Sequence, residues 1–178
     1  MKTLIKIFST LVLLNMTLFL NSCKKSGQDM QGYMTMKMTD APADYKEVNI
    51  DLIGVNIHTE RHGWIRLTIK PGIYNLLELQ NDISVVLAEN YPVPIGKVSQ
   101  IRFILGDRNT IVTTNGIFDL KIPSGMESGL KINVNETIEN NERVIITLDF
   151  DAEASVIENG SGDFSLKPVI KVKSIVHL

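Results

Sequence analysis

The chain is poor in the residues that usually announce a chemistry. Its 178 residues include one cysteine, one tryptophan and three histidines. A lone thiol excludes an intrachain disulfide, so the folded part must be held by its apolar core. Aromatic residues make up only 6%. Lysine and arginine number 18 against 20 aspartates and glutamates, for a net charge of −2. Without a basic excess interleaved with aromatics, the composition argues against nucleic acid as a partner. A glycine-rich phosphate loop, a Walker motif and a reactive thiol pair are all missing. So is any sustained apolar period of three and four that would mark long helices.

What is present is alternation. From Val144 to Val156 every even position is apolar, while Thr147, Asp149, Asp151, Glu153 and Ser155 are polar. A period of two held this long predicts one long central strand with one face buried and one face wet. Shorter segments repeat the pattern. Gly32–Met38 reads as a first strand, ended by Thr39-Asp40-Ala41-Pro42, because proline lacks a donor and disfavours helix before it. Asp44-Tyr45-Lys46 is expected to make one helical turn. In Val48–Thr59 the apolar phase slips by one between Leu52 and Ile53, which predicts a β-bulge eased by Gly54. Trp64–Ile69 returns as a strand after a turn at Glu60–Gly63. Ile83–Ala88 reads as a short strand. Tyr91-Pro92-Val93-Pro94 is confined to a loop or a sheet edge. Asn115-Gly116 predicts a two-residue hairpin that sets Ile111 opposite Leu120. Leu166–Val176 is the expected last strand. About ten short strands with regular turns predict an all-β antiparallel β-sandwich.

The N-terminus carries a processing signal. Lys2 and Lys6 precede a short, mostly apolar run ending at Leu20-Asn21-Ser22-Cys23, too short for a membrane span. The last four residues resemble the lipobox of bacterial lipoproteins. The expected organisation is a signal peptide over 1–22, a lipidated Cys23 with a polar tether to residue 30, and one β-sandwich domain over 31–178. By the resemblance, Cys23 is diacylated and becomes the mature N-terminus, and several acyl chains together give stable anchoring. Lys24 follows where an aspartate would favour inner-membrane retention in some bacteria. The expectation is therefore the outer membrane of a Gram-negative cell envelope.

Thr39-Asp40-Ala41-Pro42, Tyr45, Val48, Trp64, Tyr74-Asn75-Leu76-Leu77, Gly96, Gln100-Ile101-Arg102, Pro123-Ser124-Gly125 and Gly129-Leu130-Lys131 form one set with Leu148-Asp149-Phe150-Asp151-Ala152, Ser155-Val156 and Leu166-Lys167-Pro168-Val169. The set resembles an uncharacterised domain family frequent in prokaryotic lipoproteins, catalogued only as a domain of unknown function. The resemblance implies an immunoglobulin-like or prealbumin-like sandwich and carries over no catalytic residue.

Candidate sites are few. Asp149, Asp151 and Glu153 share one strand face, and hard cations such as calcium take several carboxylate oxygens. Counting back from the Asn159-Gly160-Ser161 turn sets Asp149 opposite Lys171 and Glu153 opposite Lys167, so the alternative is a face of cross-strand ion pairs. His58 and His62 lack the further ligands zinc requires, and Ser124 lacks a nucleophile elbow. Asp40 reads as a turn or cap residue. Trp64, Tyr45, Tyr74 and Tyr91 are candidates for stacking on sugar rings, if they share an exposed surface. The expected role is a lipid-anchored envelope binding or structural module without catalytic activity or cofactor. Its partner would be an envelope protein or glycan, and the alternative is a surface glycan-binding lipoprotein of an outer-membrane uptake system.

Overall fold

The computed structural model describes residues 30–124, 129–160 and 162–178. Cys23 and its leader lie outside the described residues. Thirteen strands make up most of what is described: β1 (Gln31–Asp40), β2 (Glu47–Thr59), β3 (Gly63–Arg66), β4 (Gly72–Asn75), β5 (Val85–Pro94), β6 (Gly96–Leu105), β7 (Thr110–Thr113), β8 (Gly116–Lys121), β9 (Leu130–Ile138), β10 (Arg143–Phe150), β11 (Val156–Glu158), β12 (Phe164–Leu166) and β13 (Ile170–His177). One sheet has the order β13-β10-β1-β5. The other runs β11-β12-β8-β7-β2-β6-β9, with β3 and β4 also paired to β2. The two pack as a sandwich, as the alternation predicts. Among the described residues no helix is long and apolar enough to cross a membrane.

The sheets are mixed, which corrects the antiparallel expectation. β1 pairs β10 in parallel, and β12 pairs β8 in parallel. The parallel pairs arise because the chain repeatedly crosses between layers, so strands far apart in sequence become neighbours. The core is filled by the inward residues of both sheets. Met34, Met36 and Met38 of β1 face Val144, Ile146 and Leu148 of β10 in register, and all six are fully buried. With no disulfide available, this burial is what holds the layers together.

The predicted long strand is the main correction. β10 ends at Phe150, and Ala152–Ser155 form one helical turn before β11 begins in the opposite sheet. Asp151 caps that turn by accepting from the Ala154 amide at 2.9 Å. Ala152, Ser155 and Val156 are all buried while Ala154 is exposed; lying three and four apart, the buried three suit the inner face of a helical turn, whereas alternation would have exposed Ser155 and buried Ala154. The last strand is divided in the same way, with Lys167-Pro168-Val169 carrying the chain from β12 to β13. Asp44–Lys46 form a bend instead of a helical turn.

Elsewhere local chemistry behaves as read. The β2 bulge occurs between Leu52 and Gly54 against β6. It leaves Ile53 outward at 38% exposed while Val55 and Ile57 return to the core. The proline-containing Tyr91–Pro94 segment ends β5 on a sheet edge. The hairpin forms, but Thr113 pairs with Gly116 and Ile111 with Phe118. The Thr113 hydroxyl accepts from the Asn115 amide at 3.1 Å, which turns the chain one residue earlier than the asparagine–glycine pair suggests.

The bulge predicts a contrast within one strand. Ile57→Ala should lower unfolding stability by about 2–5 kcal/mol, and Ile53→Ala by no more than about 0.5 kcal/mol. Urea unfolding midpoints at unchanged slope measure both, and equal losses would contradict the bulge.

Candidate functional site

Because β1 and β10 run parallel, their C-terminal ends finish side by side, Thr39 beside Asp149 and Asp40 beside Phe150. The carboxylate of Asp40 is thereby trapped at the layer junction, 3% exposed. It accepts from the Ala152 amide at 2.9 Å and from the Gln80 side-chain amide at 3.5 Å. The Thr39 hydroxyl lies 2.8 Å from the Leu79 carbonyl and 2.7 Å from the Ile83 carbonyl, tying the 3-10 helix Leu76–Leu79 and the following turn to β1. Asn81 and Asp82 complete that turn at positive φ, a conformation asparagine and aspartate tolerate. Ser155 closes the other side. Its hydroxyl accepts from the Val169 amide at 2.8 Å, and its carbonyl accepts from the Lys167 amide. Thus Asp40 is the cap anticipated from its turn, although the amide it caps lies 112 residues away. Burial, aided by the nearby carboxylates of Asp149 and Asp151, pushes the Asp40 carboxyl up to about 6.

A cavity of about 400 Å³ opens beside this junction, lined by Pro42, Asp82, Asp149, Lys171 and Lys173 among others. Asp149 does face Lys171 across β10 and β13. The calcium trio nevertheless does not assemble. Asp151 spends its carboxylate on the helical cap and lies 3.8 Å from the Lys171 amine. Glu153, placed opposite Lys167 by the alternation, is instead exposed on the helical turn. Lys173 pairs with Asp82 at 2.7 Å. Among the described residues, no group of three or more histidine, cysteine or acidic side chains is placed to hold a metal ion.

A second junction has no counterpart in the sequence reading. Asp51 on β2 is 2% exposed and receives a two-pronged contact from Arg108, Nη2 to Oδ1 at 2.8 Å and Nε to Oδ2 at 2.9 Å. The Arg108 hydrogen bond holds the Asp51 carboxyl below the ordinary aspartate range. The Asn109 side chain accepts from the Asp51 amide, and a side chain at Gly106 would collide with the Asp51 carboxylate. These contacts build one wall of a larger groove of about 1250 Å³ that also includes Ile53 and Ile73. Nothing in the spacing of Asp51 and Arg108 signals the pair, which depends on the loop between β6 and β7.

The aromatic candidates divide. Tyr45, Tyr74 and Tyr91 are partly buried against the core. Their hydroxyls are partly used as well, Tyr74 donating to the Lys70 carbonyl and Tyr91 to the Arg66 carbonyl. Among the described residues, none of them makes a ring contact with Trp64. The tryptophan stands on the outward face of the large sheet, where register lines up two rows across four strands. One row is Trp64, His58, Gln100 and Asn133; the next is Arg66, Asn56, Arg102 and Lys131. His58 meets the Trp64 ring edge-on at 5.0 Å, and its Nδ1 lies 2.9 Å from the Ser99 hydroxyl. The Arg102 guanidinium stacks on the Trp64 ring at 3.9 Å, a cation–π contact. Of the aromatic candidates, only Trp64 occupies a face of this kind, and Arg102 beside it is marked in the sequence only as part of Gln100-Ile101-Arg102 in the family resemblance, with no role attached.

The molecule is thus a mixed β-sandwich whose buried carboxylates serve its layer junctions. A family model described as a domain of unknown function (DUF4382) matches residues 31–168, and the chain belongs to that family. No curated protein and no solved structure matches the chain.

The raised Asp40 carboxyl predicts a pH dependence. Between 3.8 and about 6 the native state binds the proton that the unfolded chain releases, so stability falls as pH rises through that window. Asp40→Asn retains an acceptor for the Ala152 amide and should flatten this slope, gaining stability over the parent at neutral pH relative to acid. Denaturant titrations across the window test this; an unchanged slope would contradict it.

Proposed function

We propose that the protein is a lipid-anchored, non-enzymatic binding module of the bacterial cell envelope, held on the outer membrane. The observation that carries the reading is the position of Cys23. The chain's one cysteine stands at the end of a basic-then-apolar leader, within Leu20-Asn21-Ser22-Cys23. In the sequence, the short polar stretch Lys24 to Asp29 and Met30 separate it from the start of β1. Acylation there would place the sandwich near the bilayer while leaving the outward sheet face to the surroundings. A non-catalytic role accords with the spent state of the buried acids, since Asp40 and Asp51 both have their carboxylate oxygens engaged by the fold.

A second reading, a surface glycan-binding lipoprotein serving an uptake system, is favoured by one observation. Trp64, held against His58 and Arg102 on the outward face, is the arrangement a ring-bearing ligand would use.

The anchor is tested by expressing the full chain and its Cys23→Ala variant in a Gram-negative host. The parent should fractionate with membranes, and mass spectrometry should find an acylated N-terminal cysteine. The variant should lose the acyl mass and the membrane association together. Equal membrane association of both, with no acyl mass on the parent, would refute the anchor.

A further inference from the structure

We infer that the outward face of β3, β2, β6 and β9 binds an acidic glycan, one carrying carboxylate or sulfate groups beside free hydroxyls. The inference rests on the binding-module reading and names the ligand class of that module.

The first observation is charge. The chain as a whole is acidic, yet the row Arg66–Asn56–Arg102–Lys131 sets three cations across neighbouring strands. Neither this row nor the one beside it contains a carboxylate. Among the described residues, the five ion pairs involve Arg108, Lys171, Lys173 and His177 and none of these three cations. Like charges side by side on a sheet are unfavourable in isolation, and an anionic ligand would relieve them.

Unmet hydrogen bonding is the second. Asn56 Oδ1 and Arg102 Nε are buried atoms without a hydrogen-bond partner, although such atoms are nearly always satisfied. One is an acceptor and the other a donor. Both atoms are covered in the free protein, so a ligand reaches them only as the side chains above them shift; one presenting both a hydroxyl and an anionic oxygen, as a sugar acid does on one ring, then supplies the complement of each.

Third is shape. Stacking on Trp64 holds the Arg102 guanidinium flat, and a planar guanidinium pairs carboxylates through two parallel N–H bonds. The adjoining row adds an amide pair, with Gln100 Nε2 donating to Asn133 Oδ1 at 2.9 Å, on the far side of His58 from Trp64. An apolar ring, planar cations and side-chain amides on one flat sheet face suit a polysaccharide chain laid across the strands.

The test uses full-length lipidated protein in detergent, titrated calorimetrically with oligogalacturonate, alginate oligomers and heparin fragments. Neutral oligogalactose serves as control, and vesicles containing phosphatidylglycerol form a separate arm. At least one acidic oligosaccharide should bind, with affinity falling as salt is raised, while the neutral control does not bind. Arg102→Gln and Lys131→Gln should each weaken binding by about tenfold. The exposed Lys131→Gln should leave the unfolding midpoint of the free protein within the range of a surface change, whereas Arg102→Gln also loses its contact with Trp64, so Lys131→Gln is the variant that separates binding from folding. Binding of none of the acidic glycans, equal binding of neutral and acidic ones, or insensitivity to both substitutions would overturn the inference. So would binding confined to the anionic vesicles. The Cys23 acyl mass, read separately, shows whether the anchor reading survives such a failure.

Discussion

The hydrogen bond from the Ala152 amide to the buried carboxylate of Asp40 is the constraint on which the rest of the arrangement depends. It forms where two parallel strands, β1 and β10, end together and the chain must leave one sheet for the other. A strand that stops inside a sandwich exposes unpaired amides and carbonyls, and leaving them unpaired is expensive. Asp40 takes the first amide of the helical turn, Asp151 takes a later one, and the Ser155 hydroxyl takes that of Val169. The crossing is therefore polar and satisfied, while the methionine-rich face of β1 lies beside that of β10 in the core. Relocating a carboxylate from water into this site raises its affinity for a proton, which is the cost visible in its displaced titration.

This junction also explains why the motif segments read together. Thr39-Asp40-Ala41-Pro42, Leu148-Asp149-Phe150-Asp151-Ala152, Ser155 and Leu166-Lys167-Pro168-Val169 are remote in sequence. In the fold they are the pieces of a single crossing point. Their acids therefore serve architecture first. The same is true of Asp51, whose pairing with Arg108 pins the loop between β6 and β7. Both buried carboxylates are used from within, whereas among the described residues none of the three cations on the outward sheet face has a carboxylate partner.

Much of the architecture was legible from local pattern, and the residues show why. The phase slip at Leu52–Ile53 needed only nearest-neighbour alternation, and the bulge formed there. The prolines of Tyr91–Pro94 demanded a loop or an edge, and the segment lies on an edge strand. Asp149 was correctly set opposite Lys171. The long strand failed because Ala152 and Val156, four apart, satisfy a helical period and an alternating one equally, while the burial of Ser155 and exposure of Ala154 follow from the helical turn, and the arbitration came from Asp40, on a strand 112 residues away. Parallel pairing failed for the same reason, since it is a consequence of layer crossings that no local spacing encodes. At the site, Trp64 was visible as the chain's lone tryptophan. Arg102 and Asn56 were not, because their unpartnered atoms exist only once β2, β3, β6 and β9 are in register.

The most direct test of the account is a carbon-detected NMR titration of the Asp40 carboxyl, followed together with the Ala152 amide. The polar junction predicts a carboxyl midpoint at about 6 and an amide shift that moves with the same midpoint. An Asp40 carboxyl titrating in the ordinary aspartate range, with an Ala152 amide indifferent to it, would show that the two groups are not joined and that the crossing is held by other means.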